Sequence, residues 1–329
     1  MSRRILALGL PIAFPVALLL SACGGGSSAD TSPSPGADGG PLRVVAGFYP
    51  LAYAAQQVGG NGIEVINLTP PGGEAHDLEL GPQQVAEIGE ADLVLYIPGF
   101  QPALDEAIAQ VAPDRALNVT EAIALLPAED HSEDGPSEDD HSEEEAGHED
   151  DPGHDGDALA GDPHVWLNPL NMATIGDEIA TRLSAIDSEG PFTAGAASLS
   201  AAMGSLNTQW LDGTIQCRSR DLVVSHEAFG YLAQQYNFTQ VGIAGLSPDA
   251  EPSPARIAEV IDLVRANGVT TIYYETLVDP KVAETLAAET GTTTAILDPL
   301  EGLAEGATGD YVTIMQANLE QVQIGQGCS

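Results

Sequence analysis

The sequence predicts an α/β protein with two lobes, each built on a mainly parallel sheet of about four strands. Strand-like apolar runs alternate with helix-compatible segments from residue 42 to residue 329, and the scheme occurs once in each half of the chain. Between the halves, AGAASLSAAMGSLNTQWL contains no proline and spaces its larger apolar residues at about the helical period. We therefore expect two (β/α)4-like lobes that are joined by one long helix and separated by a cleft.

The individual elements follow from composition and period. Strands are predicted where short runs of β-branched and aliphatic residues lie between turn-forming residues. These runs are 42–48, 63–68, 92–97 and 116–119 in the first half, and 221–225, 239–245, 270–275 and 293–297 in the second. Helices are predicted at 50–59, 82–89, 101–111, 169–186, 191–215, 227–236, 254–267, 280–290 and 310–324.

Residues 1–22 have the features of a bacterial lipoprotein signal peptide. MSRR is positively charged, the following residues are apolar, and Leu20-Ser21-Ala22-Cys23 resembles a lipobox, in which the cysteine is lipidated. A plain signal peptide or a single membrane-spanning helix is the alternative, but the apolar run is short for a bilayer and contains two prolines. We expect an extracytoplasmic protein that is held at the cell membrane only by a lipid on Cys23.

The remaining chain divides by composition. Residues 23–41 are rich in Gly, Ser and Pro and predict a flexible tether. We assign 42–190 to the N-terminal lobe, 191–215 to the linking helix and 216–329 to the C-terminal lobe. Within the first lobe, the highly charged tract 128–161 predicts a disordered surface loop. This loop contains four histidines among carboxylates, which we expect to bind metal weakly: His131, His141, His148 and His154.

Charge and cysteine content restrict the class of protein. The net charge of −39 makes nucleic acid and anionic membrane surfaces poor partners. Fifteen of the 49 acidic residues lie between 129 and 157, so the rest of the chain is also acidic.

Apart from Cys23, the chain has only Cys217 and Cys328, which predict a disulfide in an exported protein. Two free thiols are the alternative. We expect a monomer.

Three histidines stand alone at Gly- or Pro-marked junctions between predicted elements. Ligands of parallel α/β sheets bind outside the carboxyl ends of the strands. His226 and Asp298 each directly follow a predicted strand of the second lobe, and His76 lies in a connection after a strand of the first. His164 opens the helical segment that leaves the first lobe. We predict that these four side chains converge in the cleft and bind a metal ion.

The chemistry of this set favours zinc. Three nitrogen ligands and one oxygen ligand suit a closed tetrahedral Zn²⁺ site, whereas Mn²⁺ prefers a larger share of oxygen. A shell made entirely of protein leaves no position for a reactive water, which favours binding over catalysis. Zinc affinity should fall as pH drops through the histidine range, at about 6.5 or below. Taken singly, His164 can be a helix cap, His226 a core residue and Asp298 a turn residue.

At these residues the chain resembles a known family. The blocks are PPGGEAHDLELGPQQV, DPHVWLNP, VVSHEAFGYLAQQY, GLSPDAEPSPARIAEV, YYETLVDPKVAETLA and LDPLEGL. They resemble the signature blocks of metal-specific solute-binding lipoproteins of bacterial ABC transporters, the zinc-uptake (ZnuA-like) and manganese-uptake group. The resemblance covers essentially all of 42–328, together with the lipobox.

The resemblance implies a function and a set of ligands. It implies an extracytoplasmic receptor that captures Zn²⁺ and delivers it to an ABC permease with its ATPase. By this likeness His76, His164, His226 and Asp298 fall on the ligand positions of the family, and the Cys217–Cys328 pair resembles a disulfide of zinc-type relatives. The acidic loop before the DPH block resembles an insertion that is common in zinc-type members.

The fourth ligand departs from part of the family pattern. In some zinc-type members a glutamate beside the first histidine, or a water, completes the shell. Here that neighbour is Ala75, while Glu74, Asp77 and Glu79 lie close by in the sequence. Farther along the chain, Tyr274 and Glu275 are predicted near the cleft, either as supports for a ligand or as core and loop residues.

Three rival functions are weighed against the zinc receptor. A manganese receptor of the same type is the nearest alternative. A secreted zinc hydrolase needs a general base and usually an HExxH motif, which the chain lacks. A metal-binding adhesin without a permease leaves no simple motif. We therefore predict a binding protein and not an enzyme.

Overall fold

A computed structural model describes residues 40–128 and 161–329 of the chain. In the first lobe, four strands form a parallel sheet in the order β2-β1-β3-β4. The strands are β1 (Leu42–Ala46), β2 (Ile63–Asn67), β3 (Leu93–Tyr96) and β4 (Ala116–Asn118). The helices that connect them are α1 (Tyr49–Gly59), α2 (Pro82–Glu90) and α3 (Pro102–Val111). A short 3₁₀ turn, Gly60–Gly62, precedes β2.

Two long helices follow the first sheet in the chain and precede the second. After a 3₁₀ turn at Val165–Leu167, α4 spans Pro169–Ile186 and α5 spans Phe192–Gly213. The side chain of Asn168 caps α4 by accepting the Leu170 N–H at 2.9 Å, which satisfies one of the free donors of the first turn. The 22 residues of α5 make it the longest helix among the described residues.

The second lobe repeats the architecture of the first. Its parallel sheet has the order β6-β5-β7-β8. The strands are β5 (Asp221–Val224), β6 (Thr239–Gly242), β7 (Thr271–Tyr274) and β8 (Thr293–Ile296). The helices are α6 (Gly230–Tyr236), α7 (Pro254–Asn267), α8 (Lys281–Thr290) and α9 (Tyr311–Gln326). The predicted fold class, with two parallel sheets and a long helix between them, is therefore confirmed.

One helix begins three residues later than the sequence predicts. The helix predicted at 227–236 starts at Gly230, because the residues after β5 form a turn rather than helix. In this turn the Ala228 N–H donates to the His226 carbonyl, and the Glu227 N–H donates to Gly245. The turn keeps His226 at the carboxyl end of β5.

One hydrophobic core runs through both lobes. The apolar face of α5 buries Phe192, Leu199, Met203, Leu206 and Trp210, and the same cluster contains strand residues of both sheets. Close packing requires glycine at one point on this helix. A Cβ at position 195 would lie 2.1 Å from the Val58 carbonyl oxygen of α1. Such a continuous core favours small adjustments of the lobes over wide hinge motion.

Buried hydrogen bonds also connect the lobes. The indole of Trp166, next to His164, donates to the Pro299 carbonyl of the second lobe at 2.7 Å. The Tyr311 hydroxyl of α9 donates to the Trp166 carbonyl at 2.5 Å. The Tyr231 hydroxyl of α6 donates to the Asp162 carbonyl at 2.8 Å. These contacts fix the segment 162–166, which follows the first lobe's sheet in the chain, against the second lobe.

The structure contains the predicted disulfide between Cys217 and Cys328. It joins the segment before β5 to the end of the chain after α9, and main-chain bonds from Arg218 and Ser219 to Gln326 run beside it. Native disulfides stabilise small exported domains by roughly 2–5 kcal/mol. The bridge lies at the amino ends of the strands, away from the cleft.

Several predictions fall outside the described residues. They concern the signal peptide 1–22, almost all of the tether 23–41, and the acidic loop 128–161, of which only the ends are described. The division into domains stays a prediction. Among the helices that the structure describes, none combines the length and the apolar character needed to cross a membrane.

Candidate metal centre

Four side chains meet in the cleft between the two sheets. They are His76, His164, His226 and Glu301, and one nitrogen or oxygen atom of each lies within 4.8 Å of the others. Glu301 Oε1 lies 3.1 Å from His226 Nε2, 3.2 Å from His164 Nε2 and 3.5 Å from His76 Nε2. His164, His226 and Glu301 are buried, and His76 is the most accessible member.

These distances suit a tetrahedral ion. Bonds of about 2.0–2.1 Å in a tetrahedron place neighbouring ligand atoms about 3.3 Å apart. The three distances from Glu301 Oε1 bracket this value. Among the described residues, five buried side-chain atoms lack a hydrogen bond, and three of them belong to this group: His76 Nε2, His164 Nε2 and Glu301 Oε2. Unsatisfied buried polar atoms are rare in folded proteins, so their concentration here indicates a bound cation.

Each lobe contributes two members of the group. His76 comes from the connection after β2, and His164 stands directly before the 3₁₀ turn that leads into α4. His226 follows β5 by two residues, and Glu301 lies in the loop after β8. The site therefore lies at the carboxyl ends of both parallel sheets, where such folds bind ligands. The three predicted histidines are brought together.

A carboxylate orients the ring of His164. Asp162 Oδ1 lies 2.7 Å from His164 Nδ1 and also accepts the His164 main-chain N–H at 2.9 Å. Because the carboxylate accepts a hydrogen bond from Nδ1–H, the lone pair of the neutral ring is left on Nε2, which faces the cleft. The negative charge also makes the imidazole a stronger metal ligand.

Glu275 does the same for His226. Its Oε1 lies 2.6 Å from His226 Nδ1 and accepts a hydrogen bond from the Ser225 hydroxyl. Both residues are buried, so this pair is shielded from water. Glu275, whose role the sequence left open, is therefore a support for a ligand.

An aromatic wall backs the site on the side of the first lobe. The ring of His76 packs edge-on against Phe100 at a centroid distance of 4.5 Å, and its main-chain N–H donates to Glu74 Oε1. Phe100 in turn packs against Phe48 and Trp166. The apolar wall excludes water from the ligands and strengthens electrostatic interactions among them.

The histidines and the carboxylates of this site shift one another's pKa values. Burial opposes the charged form of His226, but the charges of Glu301 and Glu275 outweigh it and hold the pKa of His226 well above its usual range. The pKa of His164 is also raised, because Asp162 and Glu301 outweigh its burial. Burial would raise the pKa of Glu301, yet His226, His164 and His76 hold this pKa well below the usual value. Glu301 is therefore a carboxylate over a wide pH range.

Asp298, which the sequence predicts as the fourth ligand, lies outside this group. Its carboxylate accepts the Leu300 N–H at 2.8 Å and the Thr276 hydroxyl at 3.0 Å. The chain turns after β8, and the residue that enters the cleft is Glu301, three positions farther along. The block LDPLEGL contained this residue, and an Asp-Pro pair is a known turn former. The prediction from sequence took the carboxylate nearest the strand, whereas the structure groups Glu301 with the three histidines.

Other acidic neighbours of His76 also lie outside the group. Burial, followed by the charge of Glu301, raises the pKa of Glu74 to about 7, so this side chain is partly protonated near neutral pH.

The predicted weak ligands His131, His141, His148 and His154 lie outside the described residues, and so does Cys23.

Comparison with known proteins identifies the family. Residues 44–325 match the family described as ZnuA, zinc-uptake complex component A, periplasmic. The chain belongs to this family. The resemblance found in the sequence blocks is therefore confirmed, and so is the prediction that the chain is a binding protein rather than an enzyme, because the family consists of solute-binding proteins.

Individual relatives agree with this assignment. The zinc-binding lipoprotein AdcA of Streptococcus pneumoniae is 33% identical over a match that covers 96% of this chain and 60% of AdcA. The chain thus spans about 60% of the length of that relative. The high-affinity zinc uptake system protein ZnuA of Bacillus subtilis is 32% identical over 93% of both chains.

A solved structure matches the fold. The Zn(II)-bound ZnuA-like domain of Streptococcus pneumoniae AdcA superposes with a TM-score of 0.69 and is 30% identical. The match covers 87% of this chain and 99% of that domain.

The carboxylates behind the histidines should control metal affinity. Asp162→Asn and Glu275→Gln keep the size of each side chain but remove the charge that strengthens His164 or His226 as a ligand. We expect each of these two variants to bind zinc about 10–100-fold more weakly than the parent protein in a chelator competition. Glu259→Gln, at an exposed position of α7, is the matched control. Affinities equal to that of the control would show that the carboxylates do not tune the site.

Zinc binding should weaken at a higher pH than the sequence suggested. Zinc requires neutral imidazole, and the pKa values of His164 and His226 are raised by their carboxylates, so protons compete from above the usual histidine value of about 6.5. Affinity should therefore begin to fall above pH 6.5 as the pH is lowered, and binding should release protons at neutral pH. Titration calorimetry in buffers of different ionisation enthalpy measures both effects. Affinity that stays constant down to pH 6.5 contradicts the raised values.

Proposed function

We propose that this protein is an extracytoplasmic receptor that captures Zn²⁺ and delivers it to an ABC permease for uptake. One observation carries the proposal, namely the buried set of three imidazole nitrogens and one carboxylate oxygen with three unsatisfied polar atoms. Three nitrogens and one oxygen are a donor set that zinc prefers. Zinc is the transported cargo in this account and performs no reaction in the site.

Capture follows from the protonation states of the ligands. Glu301 is already ionised because its pKa is held well below the usual value, so it attracts a cation into the cleft. His164 and His226 then lose the protons on Nε2 to the solvent, while the protons on Nδ1 stay on the rings and donate to Asp162 and Glu275. The accessible ring of His76 completes the donor set. The protein thus exchanges protons for a metal ion at equilibrium.

Release depends on the division of ligands between the lobes. His76 and His164 belong to the first lobe, whereas His226 and Glu301 belong to the second. A small movement of the lobes away from each other removes two ligands from the ion at once. A permease that holds the lobes apart would therefore lower the zinc affinity without touching the ligands.

The partner and the location complete the proposal. The family description names a zinc-uptake complex and the periplasm, which supports a permease with its ATPase as the partner. The lipobox-like Leu20-Ser21-Ala22-Cys23 supports a lipid anchor on Cys23 as the only membrane attachment. We propose that the receptor acts as a monomer.

Metal selectivity tests the proposal most simply. We expect one tight site per chain that prefers Zn²⁺ to Mn²⁺, because imidazole outnumbers carboxylate three to one. Competition titration with both ions measures the preference, with His226→Ala as the variant that should lose tight binding and Glu259→Gln as the control. Comparable affinities for the two ions would instead support the manganese receptor.

The acidic loop should act as a separate, weak collector of zinc. Its four histidines lie among fifteen carboxylates between 129 and 157, and metal binding there must order a chain of low hydrophobicity. Deletion of 129–157 should leave the affinity and the one-to-one stoichiometry of the tight site intact while removing additional weak equivalents, as measured by calorimetry. Loss of tight binding on deletion would place loop histidines in the primary site.

A further inference from the structure

The main chain just before Glu301 adopts an unusual conformation. Leu300 has φ of 59°, and only one other residue that is not glycine shares a positive φ among the described residues, Asn237 at the end of α6. Asparagine tolerates the left-handed region, whereas for leucine this conformation is strained. Leu300 is also fully buried. Strain of this kind persists only where surrounding contacts impose it, and it is concentrated at functional sites.

The contacts that impose this conformation centre on Asp298. Its Oδ1 accepts the Leu300 N–H at 2.8 Å, which closes a turn of the Asx type, and its Oδ2 accepts the Thr276 hydroxyl at 3.0 Å. The amide side chain of Asn318, on α9, binds both main-chain groups of Asp298, the N–H at 2.9 Å and the carbonyl at 2.7 Å. Asn318 is 2% exposed.

The next residue is fixed from the other lobe. The Pro299 carbonyl accepts the Trp166 indole N–H at 2.7 Å, so the polar groups of 298–300 are bound by side chains from three separate segments. Glu301 follows directly, and the direction of its side chain is set by the turn that precedes it. With this turn formed, the carboxylate lies 3.1 Å from His226, 3.2 Å from His164 and 3.5 Å from His76.

We propose that Asp298 is the positioning residue of the metal site: it holds Leu300 in the left-handed conformation and thereby directs Glu301 at the three imidazoles. The inference rests on the proposed zinc-binding function and deepens it. Asp298 acts through Glu301 and does not contact the ion. Its function depends on an acceptor oxygen two residues before Leu300 rather than on a negative charge.

Two substitutions at position 298 separate these roles. Asp298→Asn keeps an acceptor oxygen for the Leu300 N–H, and its amide can donate to the Thr276 hydroxyl. Asp298→Ala removes the acceptor and leaves Leu300 free to leave the left-handed region. We expect zinc affinity to fall about 10–100-fold in Asp298→Ala, as for other residues that support a ligand, and to stay within about threefold of the parent in Asp298→Asn.

Cobalt provides a readout that general destabilisation does not move. The visible spectrum of bound Co²⁺ reports its coordination number and geometry. We expect the parent and Asp298→Asn to give the same intense four-coordinate spectrum. Asp298→Ala should give a weaker spectrum of higher coordination, because two or more waters enter the space that the misplaced carboxylate leaves. Thermal melting of the metal-free proteins checks that each variant is folded.

A double-mutant cycle tests whether Asp298 acts through Glu301. In a Glu301→Gln background the carboxylate ligand is already gone, so Asp298→Ala should cause no further loss of zinc affinity. An equal additional loss in that background would overturn the proposal. So would a parent-like affinity and spectrum in Asp298→Ala, or a loss in Asp298→Asn as large as that in Asp298→Ala.

A milder variant covers the case in which Asp298→Ala does not fold. Thr276→Val, at an exposed position, removes only the hydroxyl that holds Asp298 Oδ2. It should weaken zinc binding by about threefold to fivefold, the effect of one hydrogen bond, and parent-like affinity in this variant would then refute the proposal. A parent protein that does not bind zinc would instead refute the proposed function itself.

Discussion

The buried carboxylate of Glu301 is the group on which the rest of the site depends. An ionised carboxylate away from water is stable only with a positive partner, and the ion-pair partners of Glu301 among the described residues are the three imidazoles of His76, His164 and His226. The carboxylates around His164 and His226 outweigh burial and raise the pKa values of these two rings, so protons on them can supply positive charge in the metal-free protein. Zinc supplies the same charge when the protons leave. The site is thus built to hold either protons or a divalent cation.

The fold places these ligands by using the same feature twice. Both lobes end their parallel strands at the cleft, so a residue that follows a strand in either lobe reaches the same space. The segment 162–166 joins the two halves. Asp162 orients His164, Tyr231 of α6 binds the Asp162 carbonyl, and Trp166 binds Pro299 in the loop that carries Glu301. A shift of one lobe is therefore felt by ligands of both, which suits the proposed receptor, since it must bind zinc tightly and then release it.

Much of this arrangement was predictable from the sequence. Alternating strand and helix patterns predict both sheets and the long helix α5, and the isolated histidines at the strand ends predict three members of the metal group. The fourth member was not predictable from strand position, because the direction of Glu301 depends on the left-handed Leu300 and on contacts from Thr276, Asn318 and Trp166, which are distant in the sequence. For the same reason the sequence did not indicate Asp162 and left the role of Glu275 open. Carboxylates are common in this chain, and only tertiary structure shows which of them touch a ligand.

A structure of the zinc-loaded protein determined at the zinc absorption edge tests the account most directly. The account predicts one ion bound by Nε2 of His76, His164 and His226 and by an oxygen of Glu301, with each bond about 2.0–2.2 Å long. Asp298 should still accept the Leu300 N–H in that structure. An ion bound by Asp298, by a histidine of the acidic loop, or by the three imidazoles and a water with Glu301 turned away would contradict the assignment of Glu301 as the fourth ligand.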